Sequence, residues 1–226
     1  MKRISFSPGK FYHIYNRGTE KRDIFMNKND YYRFLLLLYH CNSSKNVVLR
    51  LENKNFDLDP QKETLVDICA YCLMPNHFHL LIHEKIEGGI SRFMQKLSTG
   101  YTMYFNKLYE RNGVLFQGKF KSSHADEDEY LKYLFSYIHL NPVKLIEPLW
   151  KENGISDHFA AEKYLDYYSY SSYIDYLGIG RQESAIITKG VMPTYFLSPA
   201  DYQRTVSDWL KFKDQQVSTR SDLVLI

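Results

Sequence analysis

The chain is short of the features that mark membrane, secreted and nucleotide-driven proteins. Its longest uncharged apolar run centres on Phe34–Leu38, far below the ~20 residues a bilayer-spanning helix requires. Met1-Lys2-Arg3-Ile4-Ser5 is not followed by a signal-type apolar core, so neither membrane insertion nor secretion is expected. There are only three cysteines, Cys41, Cys69 and Cys72, too few for an even-numbered disulfide framework and in keeping with a reducing cytoplasm. Cys69 and Cys72 form a C-x-x-C, yet their odd separation sends them to opposite faces of a strand. They are therefore expected to be small buried hydrophobes rather than a metal or redox pair. No Walker motif is present to power a nucleotide-driven step.

What is there suffices for a core. With 226 residues, 44% of them hydrophobic, the sequence suits one domain plus an appendage. The net charge of +3 is modest but unevenly spread. Residues 1–144 hold 21 Lys and Arg against 15 Asp and Glu, and residues 145–226 hold 8 against 11. The basic surplus therefore sits in the first part of the chain, where it could neutralise a phosphate backbone or simply solvate a surface.

The most informative stretch is Met74-Pro75-Asn76-His77-Phe78-His79-Leu80-Leu81-Ile82. On a strand, residues i and i+2 share a face, so His77 and His79 present two imidazoles to one side while Phe78 packs on the other. That is half of a metal site, although a solvated strand face would carry the same spacing. A second half lies some 60 residues on. Asp126-Glu127-Asp128-Glu129 suits the positive end of a helix dipole, and Pro142 biases Asn141 away from helical angles, so a helix is expected to end there. Tyr137 and Asn141 then lie one turn apart on one face, a phenol and a carboxamide placed to meet the imidazoles. Tyr130, Tyr133 and Tyr137 also form a stripe that helix packing alone would explain.

The remaining pattern alternates strands and helices. Residues 11–17 read as a strand, and Lys28-Asn29-Asp30 can cap a helix running from Tyr31 through Tyr39. The polar stretch from Asn42 to Glu63 is a long connection with a short strand considered at Val47–Leu51. Strands follow at 66–73 and 77–84, then a long amphipathic helix over 90–109 that Gly113 stops, and a fourth strand over 114–124. The last part reads as helical, with Ser198-Pro199-Ala200-Asp201 capping a helix through Trp209 and Phe212 and a frayed tail from Gln216.

Taken together, His-hydrophobe-His on a strand and Tyr-x-x-x-Asn on a helix resemble the HUH single-tyrosine transposases, in particular their REP-associated tyrosine transposase branch. Flanking stretches carry the resemblance further: Phe11-Tyr12-His13-Ile14-Tyr15-Asn16-Arg17-Gly18, Phe93-Met94-Gln95, Tyr104-Phe105-Asn106, Gly118-Lys119-Phe120-Lys121-Ser122-Ser123 and Tyr137-Ile138-His139-Leu140-Asn141-Pro142-Val143-Lys144. Tyr168-Ser169-Tyr170-Ser171-Ser172-Tyr173 looks like the tail that follows the core in that branch.

The resemblance implies an α+β, ferredoxin-like HUH sandwich, an antiparallel sheet with helices on one face, over 1–146, and a mainly helical C-terminal extension over 147–226. It implies a cytoplasmic transposase that cleaves single-stranded DNA beside a hairpin through a 5′-phosphotyrosine, with Tyr137 as nucleophile. His77, His79 and Asn141 would hold Mg²⁺ or Mn²⁺; two imidazoles lean toward Mn²⁺ on physical grounds. Many members carry glutamine at the position of Asn141. His13, Asn16, Arg17, Lys119 and Lys121 are candidate DNA contacts. Relatives include monomers and homodimers that exchange tyrosine helices, and both states stay open here. Two other readings compete: a rolling-circle replication initiator or relaxase using Tyr133 with Tyr137, and a non-catalytic module that binds single-stranded nucleic acid.

Overall fold

The computed structural model describes residues 5–45, 55–56, 63–196 and 198–211. The strand considered at Val47–Leu51, the continuation to Phe212 and the tail from Gln216 lie outside the described residues.

The chain opens as βαββαβ: β1 (Phe11–Arg17), α1 (Lys28–Cys41), β2 (Val66–Met74), β3 (His77–Glu84), α2 (Gly89–Leu108) and β4 (Lys121–Ala125). All neighbours are antiparallel, in the order β2-β3-β1-β4, which is the ferredoxin-like arrangement. Pro75 and Asn76 make the tight turn that sets β3 directly beside β2. The α1 start is fixed by Asn27, one residue before the capping stretch read from sequence. Asn27 accepts from the Asn29 amide at 2.8 Å while the Asp30 carboxylate accepts from the Asn27 amide at 3.3 Å, a reciprocal cap. Buried Asp30 also accepts from the Tyr104 and Tyr109 hydroxyls at 2.9 and 2.7 Å, which ties α2 to the start of α1.

Within this unit both helices lie on one face, as expected. Phe34, Leu37 and Leu38 of α1 and Phe93, Leu97 and Tyr101 of α2 pack with Tyr12, Ile14, Phe78, Leu80 and Ile82 of the sheet. The other face is closed too. The tyrosine helix α3 (Asp128–Leu140) sets Leu134, Phe135 and Ile138 against Ala70, Cys72, Met74 and Leu81. Behind it come α4 (Trp150–Asn153), α5 (His158–Tyr167), α6 (Tyr173–Tyr176) and α7 (Pro199–Lys211), which add Ala161, Leu165, Tyr176, Tyr202 and Val206 to the same cluster. Every residue of β2 is buried as a result.

The extension also hydrogen-bonds along the outer margin of β2. Leu73 N donates to Tyr170 O at 2.9 Å, Ser172 N to Tyr71 O at 3.0 Å and Thr188 N to Ile68 O at 2.9 Å. The Tyr168 and Tyr176 hydroxyls donate to the carbonyls of Leu73 and Cys69, both at 2.7 Å.

Three sequence expectations are corrected. The fourth strand is five residues long, because Gly118 turns with φ +71° and residues 114–120 wrap back, with Gln117 N donating to Arg17 O at 2.8 Å. Asn141 keeps helical angles (φ −51°, ψ −39°), and the chain passes into a 3-10 turn over Asn141–Leu145. Proline suits the first positions of such a turn because its missing N–H is not needed there. Cys69 and Cys72 fall in one hydrophobic cluster instead of on opposite faces, because the pairing of β2 with β3 slips between Ile68 and Ala70 and the bulge restores the parity. Both are nonetheless free, buried thiols, and burial pushes their ionisation up, so they remain small apolar fillers.

Candidate active site

The face of the sheet under α3 gathers the chemistry. Register sets Arg17 opposite His77, Tyr15 opposite His79 and His13 opposite Leu81, so alternate residues of β1 and β3 project toward one helix. The His77 and His79 rings are 5.0 Å apart at 89°. His13 lies parallel to His79 at 5.1 Å, with His13 Nε2 and His79 Nδ1 sharing a hydrogen bond of 2.9 Å. From α3, the Tyr137 ring meets His79 edge-on at 5.5 Å and His13 at 6.1 Å. Tyrosine helix and histidine strand therefore meet within one chain.

The three histidines and Tyr137 are buried, and their ionisation follows from that. Desolvation, reinforced by the charges of Lys144, Lys151 and Arg17, pulls His77 down to about 3. Burial does the same for His13, to about 3, and holds His79 well below the ordinary imidazole value, with its neighbours His77 and His13 adding to the effect. All three rings are neutral at neutral pH. His79 Nε2 is buried with no hydrogen-bond partner among the described residues, as is His13 Nδ1. Burial pushes Tyr137, only 6% exposed, up to about 12. Asn141 sits one turn further along, its Nδ2 donating to the Tyr137 carbonyl at 2.8 Å, which leaves Oδ1 as the side chain's acceptor.

The candidate DNA contacts separate. His13 is interior, in the histidine cluster. Asn16 points to the opposite face, its Nδ2 donating to Gly118 O at 3.2 Å and its Oδ1 accepting from Arg17 N at 2.9 Å. Arg17 is partly exposed and its Nε reaches Gln117 Oε1 at 2.6 Å. Lys119 and Lys121 are both exposed, but only Lys121 lies in β4, opposite Tyr15 and on the histidine side; Lys119 precedes the strand. His83 shares the parity of His77 and His79 yet pairs with Asp67 at 3.0 Å, away from Tyr137. His124 stacks on Tyr12, on the far face, at 5.0 Å.

Two features were not foreseen. One is the His13–His79 bond: alternation put His13 on a face, but its partner depends on the register between strands far apart in sequence. The other is Lys151 of α4, whose Nζ donates to the Tyr137 hydroxyl at 3.0 Å and lies 4.3 Å from the centre of its ring. A single lysine in a four-residue helix carries no periodic signal that could have marked it.

A ferredoxin-like sheet with paired histidines facing a helical tyrosine defines a class of protein, and the comparisons agree. The family model for IS200-like transposases matches residues 12–141, and the chain belongs to that family. No curated protein matches it. A solved structure of a REP-associated tyrosine transposase bound to a REP hairpin is similar with a TM-score of 0.50, covering 85% of this chain and 93% of that one. At 13% identity, that likeness is one of fold.

Proposed function

We propose that this transposase nicks and joins single-stranded DNA beside a hairpin, with Tyr137 as the nucleophile and a 5′-phosphotyrosine as the intermediate. The observation that supports it is the edge-on approach of Tyr137 to His79, a buried imidazole whose Nε2 has no protein partner among the described residues. The similar solved structure carries a REP hairpin, which favours a hairpin substrate here as well.

The donor set suits a divalent cation. Among the described residues, no three His, Cys, Asp or Glu side chains converge on a metal. The set is therefore two imidazoles, His77 and His79, with Asn141 Oδ1 as a third, oxygen ligand. Both rings are neutral and so offer lone pairs at neutral pH. A mixed nitrogen and oxygen set leans toward Mn²⁺ over Mg²⁺. When bound, such a cation polarises a non-bridging oxygen of the scissile phosphate. The chain does the rest. α3 holds the phenol at the histidine face, and the packed extension keeps water from it. Arg17 and Lys121, on the histidine side of the sheet, and exposed Lys119 would neutralise backbone phosphates. On this reading residues 1–146 form the catalytic domain, and residues 147–226 form a helical extension that seals β2.

The test is an adduct assay. Incubated with Mn²⁺ and a labelled single-stranded hairpin oligonucleotide from the flanks of its own gene, the protein should form a complex that survives denaturant. Tyr137→Phe should form none, while Tyr133→Phe should retain it. Loss in Tyr133→Phe would instead favour a two-tyrosine initiator, and binding without cleavage under any metal would favour a non-catalytic binding module.

A further inference from the structure

Tyr137 is held from two sides. α3 supplies its backbone, and Asn141 at the end of that helix hydrogen-bonds to its phenol, while a further donor to the reactive oxygen comes from beyond the segment the family model matches. Lys151 Nζ donates to Tyr137 Oη at 3.0 Å and also lies over the ring at 4.3 Å from its centroid. A hydrogen bond alone would fix the oxygen and a ring contact alone would fix the plane. Together they define one orientation of the phenol.

We infer that Lys151 is a catalytic residue of strand transfer: its ammonium holds the Tyr137 hydroxyl in the attacking orientation and balances the negative charge that gathers on that oxygen and on the phosphate it attacks. The inference rests on Tyr137 being the nucleophile. In the step itself the Oη–P bond forms and the P–O3′ bond breaks, with the bonding pair leaving on O3′. The phenol proton passes, net, to that 3′ oxygen through solvent, and rejoining reverses each change. Lys151 keeps its proton throughout and acts only as donor and charge. A charge already fixed beside the buried phenol needs no reorganisation during reaction.

The test compares the full-length protein with Lys151→Met, Lys151→Arg and Tyr137→Phe. It measures the single-turnover rate of adduct formation on the labelled hairpin oligonucleotide with Mn²⁺ over a pH series, alongside DNA affinity and melting temperature. Lys151→Met should slow adduct formation by about ten- to a hundred-fold, the range expected for losing a charged hydrogen bond. DNA affinity and melting should hold, and part of the rate should return at alkaline pH. Lys151→Arg should recover most of it. An unchanged rate in Lys151→Met overturns the inference and leaves the nucleophile reading intact. A faster rate overturns it by marking Lys151 as a lock on an idle tyrosine. A loss matched by equal losses in affinity and melting assigns the lysine to structure only. No adduct from the unaltered protein removes the nucleophile reading and this role together.

Discussion

The hydrogen bond between His13 and His79 joins two ring nitrogens, so it holds a single proton and one ring must accept. When His79 donates through Nδ1, its buried Nε2 carries the lone pair a metal requires, and His13 becomes the group that fixes that tautomer. Orienting partners of this kind typically contribute 10–100-fold in metal affinity. His13→Ala should therefore weaken Mn²⁺ binding by about one to two orders of magnitude, read by calorimetry or by the Mn²⁺ resonance signal, with the sheet intact by circular dichroism. Unaltered affinity would return His13 to a packing role. At this scale the sequence was informative where spacing alone sets direction. The i, i+2 relation put His77 and His79 on one face, and the i, i+4 relation put Tyr137 and Asn141 on one side of a helix. Spacing said nothing about His13 as a partner or Lys151 as a donor, because both relations depend on tertiary placement.

At the scale of elements, strands and helices with continuous periodicity were legible nearly to their ends: β1 and β3 have the boundaries read from sequence. Misreadings fall where a local device overrides the period. A glycine turn shortens β4, a bulge in β2 reverses the parity of Cys69, and the backbone turns tightly through Pro142 instead of breaking. The extension was the least legible part, because its anchors are tertiary. Arg181 pairs with Asp175 at 2.6 Å, with the two side chains 13% and 0% exposed, and also donates to the Tyr71 hydroxyl and the Ser171 carbonyl. Ser184 and Lys189 add hydrogen bonds to the same aspartate. Removing one member of a buried pair strands the other's charge, so Arg181→Met should lower stability by about 3–5 kcal/mol in urea unfolding. A loss below about 1 kcal/mol, typical of exposed pairs, would show the clamp to be superficial.

For the whole molecule, roofing both faces of the sheet buries several histidines. His13, His77 and His139 are drawn down to about 3 and His79 is drawn well below its ordinary value, chiefly by burial. Unfolding frees them to take up protons near 6.5, so between about 6.5 and about 3 the unfolded chain binds more protons than the folded one. The stability that neutral histidines contribute is complete above the unfolded value and drains away as the pH falls through that window. Each would approach ~1.4 kcal/mol per pH unit. Melting temperature should thus drop steeply from about pH 7 to about pH 5, and a flat profile would show that these rings are hydrated in solution. Among the described residues, no helix is long and apolar enough to cross a membrane.

The hydrogen bonds that residues 168–188 make along β2 also bear on self-association. An open strand margin is a template on which a foreign chain can grow, and this sheet, as described, presents only two. One is filled by the protein's own backbone and tyrosine hydroxyls. The other is β4, five residues long with a lysine at its start. Edge-to-edge polymerisation would first have to peel the 168–188 segment from β2 or else make do with a short, charged strand, so the segment that completes the core also guards the molecule against amyloid-like growth.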